Sequence, residues 1–357
     1  LYARVARLLG KAVGRKLTSV ECCLLIDEAA VTIVAGNIRR SAGMRQFASA
    51  DSSAAGAKDN LWQQDEQGNW RIDPERDALR MANHTRVYHT RPSREVLHEA
   101  VTRQFHSGEG AIQFAPEAIA RSNADLLSTP ELRREFIDIY CDQGKEEAGR
   151  WLNLNHGPIA EDELEHRLGR YGLNPCGEIL GADFHCNLAE VHLNQIDPSD
   201  EEGQRDAFRA GALSVACLLN HEFEVKRYRQ SRAWDPIVGV SFTGLFDFFV
   251  HAFGTPWLQW WEAGRPNTEE GQEFKRCEAE YLSRWKATVN EAVWEYCDRH
   301  GLRRPNRCTT VQPAGTKSLL TGAAPGWHPP KAQRFIRRIT FRKNDPVAMA
   351  CMDYGYT

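Results

Sequence analysis

The run Ile237-Val238-Gly239-Val240 is a short apolar stretch followed by long segments of helical period. A second strand-like run, Arg307 to Gln312, closes that interval. Strands alternating with helices are the order of an α/β class. A long helix is expected from Asn267 to His300. Glu270 lies three residues after a possible Asn cap, and Gly301 is a natural stop. Ser199 to Glu202 has capping-box spacing and leads into a helix to about Asn220. Upstream, helical patterns cover 3–17, Ser19 to Ala35, 75–83, 93–106 and 130–150. The second of these is apolar around most of its circumference, which argues for burial. Residues 51–73 are rich in Ser, Ala, Gly, Asp, Gln and Asn and read as an exposed loop. Arg334 to Arg342 alternates apolar and charged residues, as a half-exposed strand does. The class is therefore α/β. No internal repeat is visible.

Bulk properties narrow the function. The net charge of -3 gives no broad nucleic-acid footprint. No apolar stretch is long enough to span a bilayer, and no signal peptide is visible. Ten cysteines in 357 residues are too sparse for a secreted disulfide scaffold, and none stands in Cys-x-x-Cys spacing. Reduced thiols in a cytoplasmic enzyme are the simplest account. The chain begins with Leu1 and ends in Tyr354-Gly355-Tyr356-Thr357, which reads as the middle of a longer protein.

The chemistry concentrates in Asn174-Pro175-Cys176-Gly177-Glu178-Ile179, with Cys186 ten residues after Cys176. One short stretch offers a thiol, a base and a second thiol. In an extended backbone, Cys176 and Glu178 would project to one side. Pro175 fixes the backbone before the thiol, and Gly177 leaves room for a ligand. An isolated cysteine is more often inert core packing.

The surrounding motifs decide between these readings. The Asn174–Ile179 run, followed by Cys186-Asn187-Leu188-Ala189-Glu190-Val191, resembles the active-site finger loop of ribonucleotide reductases. Ala35-Gly36-Asn37-Ile38-Arg39-Arg40-Ser41-Ala42 resembles that family's Gly-x-x-Arg-Arg segment. Arg80-Met81-Ala82-Asn83-His84-Thr85 resembles its Ala-Asn-Asn-Ser segment, with His and Thr substituted. Thr310-Val311-Gln312-Pro313-Ala314-Gly315-Thr316 resembles its phosphate loop. Pro325-Gly326-Trp327-His328-Pro329 is most similar to the adenosylcobalamin-dependent (class II) triphosphate reductases.

The resemblance implies a partial ten-stranded α/β barrel with a central finger loop, of which residues 1–357 are part as one catalytic domain. It implies radical reduction of ribonucleoside triphosphates to deoxyribonucleotides. Cys176 would carry the thiyl radical, Glu178 would take the 3′-hydroxyl proton, and Asn174 would orient the sugar hydroxyls. Cys186 would supply reducing equivalents with a partner cysteine upstream of Leu1. The implied cofactor is adenosylcobalamin, and the implied reductant is a thioredoxin-type dithiol. An iron-dependent diphosphate reductase and a non-catalytic nucleotide-binding protein are the alternatives.

A Gly-containing turn opening a helix presents unpaired N–H groups to an anion. Alone such a run reads equally as a helix cap; with the resembling finger loop upstream, Ala314, Gly315, Thr316, Lys317 and Ser318 are the expected phosphate site. The run is not a Walker A loop, because the earlier glycine is missing. Cys22 and Cys23 read as core thiols. Gly239-Val240-Ser241-Phe242-Thr243-Gly244 has one residue too many for a nucleophile elbow. His185 and His192 lack metal-ligand spacing. Trp257, Trp260 and Trp261 read as anchors of a helix or surface loop, and Gly108-Glu109-Gly110 as a structural turn.

Overall fold

The computed structural model describes every residue except 33, 36–37, 40–41, 330–343 and 356–357, and the side chains of 33–41. The expected strand at 334–342 and Arg40 therefore lie outside the described residues, as does the Arg39 side chain. The chain divides into two compact units, one of Leu1–Pro116 with Arg334–Thr357, the other of Glu117–Gln333.

In the first unit, strands β1 (Gly43–Ala48), β2 (Ala82–Tyr88) and β3 (Ala111–Phe114) form a parallel sheet in the order β1-β2-β3. Gly43 pairs with Ala82, and Thr85 with Ala111. Helix α1 (Arg94–Ser107) is the crossover from β2 to β3. The Ser93 hydroxyl accepts the Val96 N–H at its start, and Gly108 ends it with φ +70°. An earlier helix, Ser19–Val31, opens with a capping box between Thr18 and Glu21.

Several expectations are corrected here. The Ser19–Val31 helix is not buried all round: Leu24, Asp27 and Glu28 are its buried residues, and Cys22 is exposed. Residues 51–73 hold a short helix, Ser52–Ala55, and a hairpin of Trp62–Gln64 with Trp70–Ile72. The pattern at 75–83 is a 3-10 turn, Asp77–Met81, that runs straight into β2. Gly144, at φ +94°, splits the 130–150 pattern into helices Pro130–Gln143 and Lys145–His156.

The second unit carries the hairpin β4 (Gly172–Leu173) and β5 (Leu180–Gly181), then β6 (Leu188–His192) parallel to β7 (Gly239–Thr243). Thr309 extends this sheet by one parallel bridge to Val240. The 307–312 run is thus a single bridge rather than a full strand. Val240 N–H donates to Cys308 C=O at 2.9 Å, and Thr310 N–H donates to Val240 C=O at 3.0 Å. Helices α2 (Glu201–Ala216), α3 (Leu245–Glu262) and α4 (Glu269–Arg299) pack on this sheet. The caps are Asp200 for α2 and Thr268 for α4, each one residue from the expected position.

All five residues of β7 are buried. Below it lies an aromatic core in which Phe208 stacks on Trp285 with centroids 5.0 Å apart. Each large side chain fully buried there contributes roughly 1.5–3 kcal/mol. Trp257 and Trp260 belong to this core, and their indole N–H groups donate to Glu278 (2.8 Å) and the Pro266 carbonyl (2.9 Å). Of the two expected alternatives, a helix or a surface loop, they anchor the helix, α3, in the core. Among the described residues the sheets are small, and the observed fold is α/β without a closed barrel.

Candidate functional site

The Asn174–Ile179 run is the tip of the β4–β5 hairpin. It is not extended. Gly177 N–H donates to Asn174 C=O at 3.0 Å, and Asn174 N–H donates to Ile179 C=O at 3.3 Å. Gly177 adopts φ +79°, a left-handed conformation that a side chain at this position would strain. Pro175 favours the turn because its ring presets φ. Cys176 and Glu178 reach one cavity because they sit on a tight turn, so the alternation argument gave the right neighbours for the wrong reason.

Asn174 is buried, and its side-chain oxygen accepts the N–H groups of Glu178 and Ile179, each at 3.1 Å. Its amide also hydrogen-bonds the Cys186 thiol. Burial pushes that thiol's pKa up. The Asn174 bond opposes the rise, and the nearby Glu178 and Cys176 add to it. Asn174, Cys176, Glu178 and Cys186 are therefore one cluster. None of the ten cysteines is in a disulfide, and both Cys176 and Cys186 reach solvent.

Cys176, Gly177 and Glu178 line a cavity of about 1200 Å³ together with Thr309, Thr310, Pro313 and Trp327. Its far wall is aromatic, with Phe246, Trp257 and Trp261 beside Arg265 and Glu278. Both carboxylate oxygens of Glu178 are buried and have no hydrogen-bond partner. A carboxylate left this way costs free energy unless a ligand group meets it. Thr310 Oγ1 donates to the Glu178 carbonyl at 2.9 Å, which fastens the hairpin tip to the segment after Cys308.

Ala314 to Ser318 follow that segment. Here the expected helix is absent: Thr316–Leu320 is a five-residue 3-10 turn. Gly315 and Thr316 are exposed. Ser318 is buried and donates its hydroxyl to the Gly315 carbonyl at 2.5 Å. Lys317 Nζ lies 3.0 Å from Glu190 Oε2 and donates to Gln312 Oε1 at 2.9 Å. The loop's cation therefore faces its own protein.

The Ala323–Gly326 stretch docks on the turn between β7 and α3. Asp247 accepts the Ala324 N–H at 2.6 Å, and Thr243 Oγ1 accepts the Gly326 N–H at 2.9 Å. Gly244 at this turn has φ +74°, and a Cβ there would lie 3.1 Å from the Asn194 nitrogen. Trp327 emerges half exposed at the cavity rim, its ring 4.7 Å from that of His328. His192 Nδ1 lies 2.7 Å from Thr321 Oγ1, and His185 stacks on Phe223. Among the described residues no cluster of His, Cys, Asp and Glu could hold a metal ion. Among the described residues no helix is long and apolar enough to cross a membrane.

Asp247 was not named from the sequence, and Glu190 and Thr310 appeared there only inside motifs, with no role of their own. Glu190 carried one usable signal, a charge inside an otherwise apolar strand.

No family model matches the chain. It is similar to the adenosylcobalamin-dependent ribonucleoside-triphosphate reductase of Levilactobacillus brevis, 27% identical over 363 residues that cover 99% of this chain and 41% of that protein. The enzyme of the same description from Lacticaseibacillus paracasei is 27% identical over 364 residues, again 99% and 41%. The chain thus spans about two-fifths of the length of these relatives. A solved B-12 dependent (class II) ribonucleotide reductase aligns with a TM-score of 0.57 at 17% identity, over 91% of this chain and 39% of that one. The resemblance that the motifs carried is borne out along almost the whole chain.

Proposed function

We propose that this chain is part of the catalytic barrel of an adenosylcobalamin-dependent ribonucleoside-triphosphate reductase, with both compact units belonging to one ten-stranded domain. One observation carries the reading. An exposed thiol and a buried carboxylate with no hydrogen-bond partner share one cavity at a turn held by Asn174.

The reaction replaces a ribose 2′-hydroxyl by hydrogen. Bound adenosylcobalamin would supply the radical that converts the Cys176 thiol to a thiyl. The cavity, at about 1200 Å³, has room for more than a sugar, so the residues present fit a nucleotide with a second group beside it. The Cys176 thiyl takes the 3′-hydrogen. Glu178, its oxygens unengaged, accepts the 3′-hydroxyl proton while the 2′-hydroxyl takes a proton from the Cys186 pair and leaves as water; after reduction at C2′, Glu178 returns its proton and the Cys176 thiol returns the 3′-hydrogen. Asn174 holds both groups in place. Its oxygen is already bonded to two backbone N–H groups and one amide N–H to the Cys186 thiol, so the second amide N–H remains for a sugar hydroxyl. Cys186 and a second cysteine outside this stretch give two electrons and two protons and become a disulfide. A thioredoxin-type dithiol restores them by exchange. Ala314 to Ser318 would face the triphosphate, with Thr316 and backbone N–H groups as donors. The thiols suit a reducing cytoplasm.

The test is reduction of ribonucleoside triphosphates by protein carrying this sequence, with adenosylcobalamin and a dithiol supplied. Deoxynucleotide formation that vanishes in Cys176→Ser, with nucleotide binding kept, supports the proposal. Unchanged turnover in that variant would end it.

A further inference from the structure

Three alternate residues from β6 onward meet the 312–321 loop. Glu190 lies 3.0 Å from Lys317, His192 lies 2.7 Å from Thr321, and Asn194 donates to the Thr321 carbonyl at 2.9 Å. Thr321 Oγ1 returns a bond to Asn194 Oδ1 at 3.1 Å. Period-2 geometry puts Glu190 and His192 on one side of β6, and the 3-10 turn Leu193–Gln195 that follows carries Asn194 to the same loop, so together they form a row of anchors.

Glu190 is the unusual member. Its side chain is 4% exposed. Neither of its carboxylate oxygens makes a hydrogen bond, and Lys317 is the cation beside it. The contact is an ion pair without hydrogen-bond alignment. A buried carboxylate without its counter-charge is strongly unfavourable. Lys317 is half exposed, so its ammonium could have turned to solvent, yet it is held by Glu190 and Gln312.

We infer that Lys317 is a positioning residue rather than a phosphate ligand. This rests on reading the loop as the phosphate side of the site. The Glu190–Lys317 pair braces the loop against β6, the strand that begins two residues after Cys186. It leaves a neutral rim, in which a phosphate is met by the Thr316 hydroxyl and by backbone N–H groups.

The inference fixes the sign of one effect. If Lys317 bound phosphate and Glu190 merely competed for it, Glu190→Gln would free the lysine and tighten nucleotide binding. As a brace, the pair behaves as a unit. Glu190→Gln and Lys317→Met each raise KM for a ribonucleoside triphosphate about three- to tenfold with kcat little changed, and the double variant is no worse than either single one. Lys317→Arg restores most of the loss. Tighter binding in Glu190→Gln, or a double variant with multiplied losses, would overturn the inference.

A second measurement needs no nucleotide. Thermal unfolding of the two single variants and the double variant should show coupling, the double regaining part of the Tm lost in each single. Additive losses would refute the brace. Coupling in a protein that binds no nucleotide would keep the brace and remove the phosphate reading.

Discussion

The side-chain oxygen of Asn174 accepts the backbone N–H of Glu178 at 3.1 Å, so one buried amide sets where the Glu178 carboxylate stands. The same amide bonds the Cys186 thiol. The proposed base, Glu178, and the proposed reductant, Cys186, are thus registered to each other through one residue. Replacement of Asn174 by Ala should lower turnover by about a hundredfold through kcat, with a smaller change in KM. Steady-state kinetics against nucleotide concentration would measure it, and a pure KM effect would contradict the assignment.

Cys186 should titrate above an ordinary cysteine, because burial dominates and Glu178 and Cys176 add to it. Its thiol is the neutral form at pH 7. Alkylation by iodoacetamide should rise roughly tenfold per pH unit through pH 8 and level only at higher pH than for a free cysteine. Asn174→Asp removes the amide donor and adds negative charge, so it should move the levelling point higher still. Peptide mass spectrometry across pH would follow the rate, and levelling below pH 8 would refute the prediction.

Cys176→Ser should abolish reduction, by more than about a thousandfold, since a hydroxyl cannot replace the sulfur radical. Glu178→Gln keeps the shape and loses the base, and should cost roughly a hundred- to ten-thousandfold in kcat. Deoxynucleotide formation reports both. A Gln variant at full rate would mean that Glu178 takes no proton.

His84 is buried on β2, and burial, with Lys58 and Arg45 nearby, pushes its pKa down to about 4. Unfolding returns it to about 6.5. Between these values the unfolded chain binds a proton that the folded chain does not. The His84 contribution is therefore complete above pH 6.5 and is lost as pH falls toward 4, by about 3 kcal/mol. Denaturant midpoints of the wild type and His84→Gln, compared from pH 7 to 4.5, should converge as pH falls. Parallel curves would refute the assignment.

Arg170 is fully buried, its pKa lowered by burial to about 10, and Asp235 lies 3.3 Å from its Nε. Arg307 shares the same carboxylate at 2.6 Å. Asp235→Asn should cost about 3–5 kcal/mol, because two guanidinium groups then lose their counter-charge. Urea unfolding would measure it. A loss under about 1 kcal/mol would mean that the two guanidinium groups find other partners.

The short-range features were legible in the residues. Gly108 and Gly301 stop helices and the apolar run before Gly244 is a buried strand, whereas the turn at Pro175 and Gly177 reads as extended backbone. Each depends on φ preferences or caps acting within a few residues. The misreadings share a cause as well. Residues 75–83 look helical by period, yet sheet pairing with Gly43–Ala48 turned 82–88 into a strand. The tryptophans of α3 read as anchors of a helix or a surface loop, and only packing against α4, which supplies Glu278 for one indole, chose the helix.

The sequence by itself determined which side chains cluster at the turn, because Asn174, Cys176 and Glu178 are bound by a few backbone bonds to one another. Only the tertiary structure decided that Glu178 ends buried without a hydrogen bond, that Lys317 turns to Glu190, and that Thr310 ties the hairpin to the loop. Those contacts join segments far apart in the chain, and they exist only once parallel pairing of β6 with β7 has brought the segments together.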